Sequence, residues 1–252
     1  VERLAGVDDY DTTNIYTAGL RAAGEAGAFD FEVEAAYQWG SAGQVGYLFK
    51  PVLYGDDDAE YDAWTVHAVA GYTFDIAWKP RIRADYAYFI GKDNREITFG
   101  QWLEALVNPF YRGSSVSFNR LFSDVYVSNV LDWTDMSNLH VFTAGVSGNP
   151  TEKVELTLDV SYLLTDEAFS RPVAPWFGFL SRPNDKELGW EACLGLNYQY
   201  TSDLYFSVGW DHLFVGKGLE QGQFVQSNGL DFNGGSGNDD VDYVYFETGI
   251  SF

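Results

Sequence analysis

Residues 29 to 39 read FDFEVEAAYQW, and alternate residues belong to two incompatible sets. Phe29, Phe31, Val33, Ala35, Tyr37 and Trp39 form an apolar row, while Asp30, Glu32, Glu34, Ala36 and Gln38 form a second row that carries the carboxylates. A helix would scatter both sets around its circumference, whereas a strand sorts them onto opposite faces. The same period recurs, less cleanly, in NIYTAGLRAAG (14–24), AWTVHAVAGYTF (63–74), RIRADYAYFI (81–90), LHVFTAGVSG (139–148) and VELTLDVSYLL (154–164). It recurs again in ELGWEACLGLNYQY (187–200), LYFSVGWDHLF (204–214) and the terminal YVYFETGISF (243–252), so nine strands are predicted.

The connections between these segments alternate in length. Short links carry the residues that tight turns require: EAGA, DIAWKP, NPTEK and TSD. Between them fall long links at residues 40–62, 91–138, 165–186 and 215–240. A soluble sandwich has no reason to gather its long loops at one end. A bacterial outer-membrane barrel does, with short periplasmic turns and long external loops. The strand lengths suit a tilted crossing of the bilayer, for which about 9 to 11 residues suffice.

Composition agrees with that setting. Aromatic residues make up 17% of the chain, and no apolar run approaches the length of a spanning helix. The single cysteine, Cys193, excludes a disulfide framework and reads as inert filler. The N-terminal VERLAGVDDY lacks the basic and apolar regions of a signal peptide, which predicts a mature or truncated chain. A formal net charge of −22 argues against nucleic acid as a partner.

On this topology Tyr37, Trp39, Tyr88, Tyr162, Trp190 and Trp210 gather near the long-loop end, and Tyr72, Phe74, Tyr198, Tyr200 and Phe252 near the short-turn end. Two aromatic girdles at the membrane interfaces are the expectation. The last strand puts Phe246, Ile250 and Phe252 on one side, and this ending resembles the C-terminal signal read by the outer-membrane assembly machinery.

Several stretches carry a more specific resemblance. They are IYTAGLRAAGEAGAFDFEVEAAYQWG, GYTFDIAWKPRIRADYAYFIGKDN, SFNRLFSD, SNLHVFTAGVSGNPTEKVELTLDVSYLL, ELGWEACLGLNYQYTSDLYFSVGWDHLFVGKGL and the terminal strand. In this order and spacing, through most of the chain, they resemble the alginate export family of outer-membrane barrels. The resemblance implies a monomeric barrel of roughly eighteen strands, with no cofactor and with passive export of an anionic polysaccharide through a basic lumen. An odd count of nine then predicts that this chain is the C-terminal half of a longer barrel, because single-chain bacterial barrels close with an even number.

The face opposite the lipid side is expected to line the lumen, with Arg21, Arg81 and Arg83 against Asp30, Glu32, Glu34, Asp85, Glu155, Asp159, Glu191, Asp211 and Glu247. Such a wall is acidic, which favours cations or neutral saccharides over a polyuronate. The apolar stretch FGQWLEALVNPFYR (99–112) is expected to fold into the lumen as a constriction near Arg81, Arg83 and Asp85.

No catalytic constellation is present, since His67, His140 and His212 fall on separate strands and HExxH, GxSxG and GxGxxG are all absent. The acidic loop YGDDDAEYDAW supplies Asp56, Asp57 and Asp58 as weak metal candidates, without EF-hand spacing. Solvated acid, or acid bridged by divalent ions to lipopolysaccharide, accounts for them better. The sequence thus reads as an all-β, single-domain, antiparallel transmembrane barrel acting as a passive channel for a hydrophilic solute. A scaffold barrel with a plugged or partner-filled lumen is the competing reading.

Overall fold

A computed structural model of the chain describes residues 14–41, 60–91, 118–120, 125, 127–131, 137–168, 170–172, 181–222 and 239–251. Its strands are β1 (Asn14–Ala26), β2 (Phe29–Ser41), β3 (Glu60–Thr73), β4 (Arg81–Phe89), β5 (Leu139–Thr151) and β6 (Val154–Thr165). They continue with β7 (Ser170–Pro172), β8 (Ser181–Pro183), β9 (Glu187–Gln199), β10 (Leu204–Val215) and β11 (Val241–Ile250), and a single-turn helix α1 (Lys217–Glu220) follows β10. Nine of these strands form one sheet in the order β1-β2-β3-β4-β5-β6-β9-β10-β11, with every neighbouring pair antiparallel. This is the wall of an up-and-down transmembrane β-barrel. The nine predicted segments each coincide with one of its strands. The small hairpin β7–β8, inside the long link between β6 and β9, was not predicted; its three-residue strands are too short to show a period.

The short turns follow from local chemistry. Gly27 closes β1 onto β2 with φ of 66°, which glycine adopts without a Cβ penalty. In the link from β3 to β4, Lys79 N–H donates to the Ile76 carbonyl at 3.0 Å and Phe74 N–H to the Pro80 carbonyl at 2.8 Å. These bonds hold Trp78 and Lys79 at positive φ.

Register fixes the faces. Phe31, Ala70, Ala84, Ala144, Val160 and Ala192 align along one face, and Glu32, Val69, Asp85, Thr143, Ser161 and Glu191 along the other. The first face is inverted relative to a water-soluble protein. Leu20, Phe31, Val33, Ile82, Phe142, Leu158, Leu194, Val208, Val244 and Phe246 are all exposed on it, Leu20 at 83% and Phe246 at 70%. An apolar surface so continuous is a liability in water and the natural surface in hydrocarbon. Aromatic contacts gather at its two ends. Trp64 and Tyr88 (4.6 Å), and Tyr162 and Trp190 (4.4 Å), pack near the long loops, and Tyr72 and Phe74 (4.9 Å) near the short turns.

The conventional core lies on the opposite face, confined to the long-loop end. Ala63, Ala87, Phe89, Leu139, Val141, Leu163, Leu188 and Leu213 supply it from the wall, and Phe118 and Val127 cover it from the link between β4 and β5. No described helix is long and apolar enough to cross a membrane.

Candidate functional site

The polar face of the sheet is the surface on which chemistry is available. Register places Arg21, Asp30, Glu32, Glu34, Arg81, Arg83, Asp85, Glu155, Asp159, Glu191, Asp211 and Glu247 together on it. Strand spacing brings opposite charges within reach across the ladder. Arg21 Nε donates to Glu32 Oε1 at 2.7 Å and its Nη2 to Glu32 Oε2 at 2.8 Å, a bidentate pair. Arg81 grips Asp30 with two nitrogens, Nε reaching Oδ2 at 3.0 Å. Arg83 Nη2 meets Asp159 Oδ2 at 2.9 Å. Next to them His67 Nε2 sits 3.0 Å from Asp85 Oδ1.

The remaining carboxylates find weaker or neutral partners. Tyr205 O–H donates to Glu247 Oε1 at 2.6 Å, and Asn197 Nδ2 lies 3.5 Å from Glu155 Oε2. Glu34 sits opposite Arg21 on one side and His67 on the other. Glu191 and Asp211 differ from all of these, with exposures of 1% and 0%. What buries them is the link between β4 and β5. Asn129 and Val130 backbone N–H groups donate to Glu191 Oε1 at 3.0 and 3.2 Å, and Asn129 Nδ2 donates to Asp211 Oδ1 at 2.8 Å.

The same link is tied down elsewhere. Gln38 Nε2 donates to the Asn119 carbonyl at 2.8 Å, and Asn119 N–H returns a bond to Gln38 Oε1 at 2.7 Å. The Arg120 guanidinium lies 4.3 Å above the Phe89 ring. Asn138, at positive φ, clamps the end of the link by donating Nδ2–H to the Glu167 carbonyl at 2.9 Å and accepting the Glu167 N–H at 2.6 Å. Between the link and the wall lies a cavity of about 140 Å³, whose lining includes Arg83, Asp85, Asn129, Asp159 and Cys193.

An inserted segment was expected beside Arg81, Arg83 and Asp85, and the cavity does adjoin Arg83 and Asp85. Arg81 stands apart, lining hollows nearer the short turns with Asp30 and Glu25. The described anchors of the link are residues 118–120 and 127–131, whereas the stretch 99–112 singled out by its apolarity lies outside the described residues. So do Asp56, Asp57, Asp58 and Phe252. Phe246 and Ile250 are exposed on the apolar face of β11, Ile250 at 66%.

Sequence reasoning missed the convergence of Glu191, Cys193 and Asp211, whose candidate ligand atoms lie within 4.8 Å of one another. A signal was there: Glu191 and Cys193 are two apart on one face, and Asp211 stands opposite Cys193 in the register. The three histidines do not converge. His67 pairs with Asp85, His140 with Asp166 at 3.2 Å, and His212 with Asp242 at 2.9 Å.

A profile described as Alginate export matches residues 4–230 of the chain. A solved NanC porin structure, from a rhombohedral crystal form, aligns over 94% of each chain with 12% identity and a TM-score of 0.36. A search of curated proteins found no match. With strands in the predicted order, a lipid-compatible outer face and a profile match over most of its length, the chain belongs to the alginate export family of outer-membrane β-barrel transport channels.

Proposed function

We propose that the chain forms part of a passive outer-membrane pore wall that passes small cations and neutral saccharides more readily than anionic chains. One observation carries this reading: on the polar face Arg21, Arg81 and Arg83 are each engaged by a carboxylate of the same wall. A polyuronate would have to displace these partners while passing Glu34, Glu155 and Glu247. Each such carboxylate, at 5 Å from a passing anionic unit in water, opposes it by roughly 0.8 kcal/mol. Potentials of one sign along a passage add up and decide which ion is admitted.

The test is the reversal potential of single pores in a planar bilayer under a salt gradient, at low ionic strength where screening is weak. Cation preference is expected, and Glu32→Lys combined with Glu34→Lys should diminish it. Clear anion selectivity of the unmodified pore would overturn the reading and restore anionic polysaccharide as the solute.

A second reading has its own observation. The link between β4 and β5 covers an apolar patch on the polar face, as a plug would. A scaffold barrel closed by this plug would show no steady ohmic current, whereas a pore narrowed by it conducts.

A further inference from the structure

Burying two carboxylates side by side is unfavourable unless something positive stands between them. Glu191 and Asp211 are 1% and 0% exposed, and each has one oxygen, Oε2 and Oδ2, with no hydrogen-bond partner. Their other oxygens are satisfied by Asn129 and Val130 of the inserted link. Arg83, the wall guanidinium that lines the adjoining cavity with Cys193, is held by Asp159. The third member of the group is Cys193, whose sulfur lies with one oxygen from each acid inside a 4.8 Å cluster.

We propose that Glu191, Cys193 and Asp211 form a binding site for a borderline divalent cation of the zinc type, held between the pore wall and its inserted link. Zinc accepts carboxylate oxygen at about 2.0–2.2 Å and thiolate sulfur at about 2.3 Å in a tetrahedron, a set that three converging ligands approach with small side-chain adjustment. A hard ion such as calcium needs six to eight oxygens and has no use for sulfur. The fourth position belongs to water from the 140 Å³ cavity that Cys193 and Asn129 line. Binding replaces the thiol proton, which leaves to solvent, so affinity rises with pH. The bound ion would supply the missing partner to both acids and thereby strengthen the link's attachment.

Because Cys193 is the only cysteine, its chemistry reads the site without background. Purified full chain in detergent is stripped with chelator and titrated with Co²⁺ and, separately, Zn²⁺. A thiolate-to-cobalt charge-transfer band in the near ultraviolet is expected, and Zn²⁺ should remove it. Zn²⁺ should also slow alkylation of Cys193 at least tenfold, whereas Ca²⁺ should not. Asp211→Asn should abolish that protection, and Cys193→Ser the charge-transfer band. The wild-type spectrum decides the matter even where a variant fails to assemble. No charge-transfer band, or Cys193 alkylation at an unchanged rate under Zn²⁺, overturns the proposal and leaves a shared proton as what neutralises the pair.

Discussion

The attachment of the inserted link depends strongly on one side chain. Asn129 Nδ2 donates to Asp211 Oδ1 at 2.8 Å, and Asp211 is fully buried with its second oxygen already unpartnered. Asn129→Ala therefore strips the carboxylate of its link contact. A hydrogen bond to a buried charged group contributes about 1.5–3 kcal/mol, and each 1.4 kcal/mol is a factor of ten, so the open fraction of the link should rise on the order of ten- to a hundredfold. The two backbone bonds to Glu191 remain, so the link loosens and is not lost. Opening is read from the rate at which a small thiol reagent modifies Cys193, half-buried beside the cavity, in chelator. Single-channel recordings of the same variant should show more frequent excursions to a higher conductance. Asn129→Asp, which adds a third acid, should loosen the link further. A native variant whose Cys193 reacts at the wild-type rate, while unfolded controls react fast, would refute the idea that this contact holds the link against the wall.

Three other expectations concern the wall. Single cysteines at Val33 and Glu34, introduced in a Cys193→Ser background, should differ sharply in labelling by a membrane-impermeant reagent, with Glu34 the reactive site; equal labelling would contradict the strand register. Leu163→Ala, at a position with 0% exposure beneath the link, should cost about 2–5 kcal/mol. The assay is the midpoint of thermal or denaturant unfolding in detergent, and an unchanged midpoint would mean that the patch is not packed. Phe252→Ala, or removal of β11, should reduce insertion into the outer membrane, measured by heat-modifiable migration, whereas substitution of Asp57 should leave insertion intact; efficient insertion without β11 would remove its assembly role.

The wall was legible because a two-residue period is a local property, and FDFEVEAAYQW or VELTLDVSYLL needs no tertiary information to declare its faces. Pairing then followed from the alternation of short and long connections. What stayed hidden was the mouth. Phe89, Val141, Leu163 and Leu213 are apolar residues on the polar face, and a scan that expects polar residues inward reads them as noise. They become intelligible only once Phe118 and Val127 are seen to cover them. The anchors of the link escaped for a related reason: Asn129 and Asn119 bond to residues 82 and 81 positions away, Asp211 and Gln38, and no spacing rule reports such distances. Among the twelve charged residues, shared facing came from the pattern, but the Arg21–Glu32 and Arg81–Asp30 pairs depended on diagonal reach, and the Arg83–Asp159 pair on reach straight over Gly145, which only register supplies.

Those sequence distances set an order of events. The link emerges between β4 and β5, yet two of its catches, Glu191 and Asp211, belong to β9 and β10, which are synthesised later. Local hairpins zip quickly, whereas contacts across so many residues wait for loop closure. A chain halted after β6 would hold the link by Gln38 and by the apolar residues of β3 to β6, without its two carboxylate catches. Closing the mouth is thus a late step that reports completion of the strands downstream, and a barrel still taking in its last hairpins is one whose mouth has yet to latch.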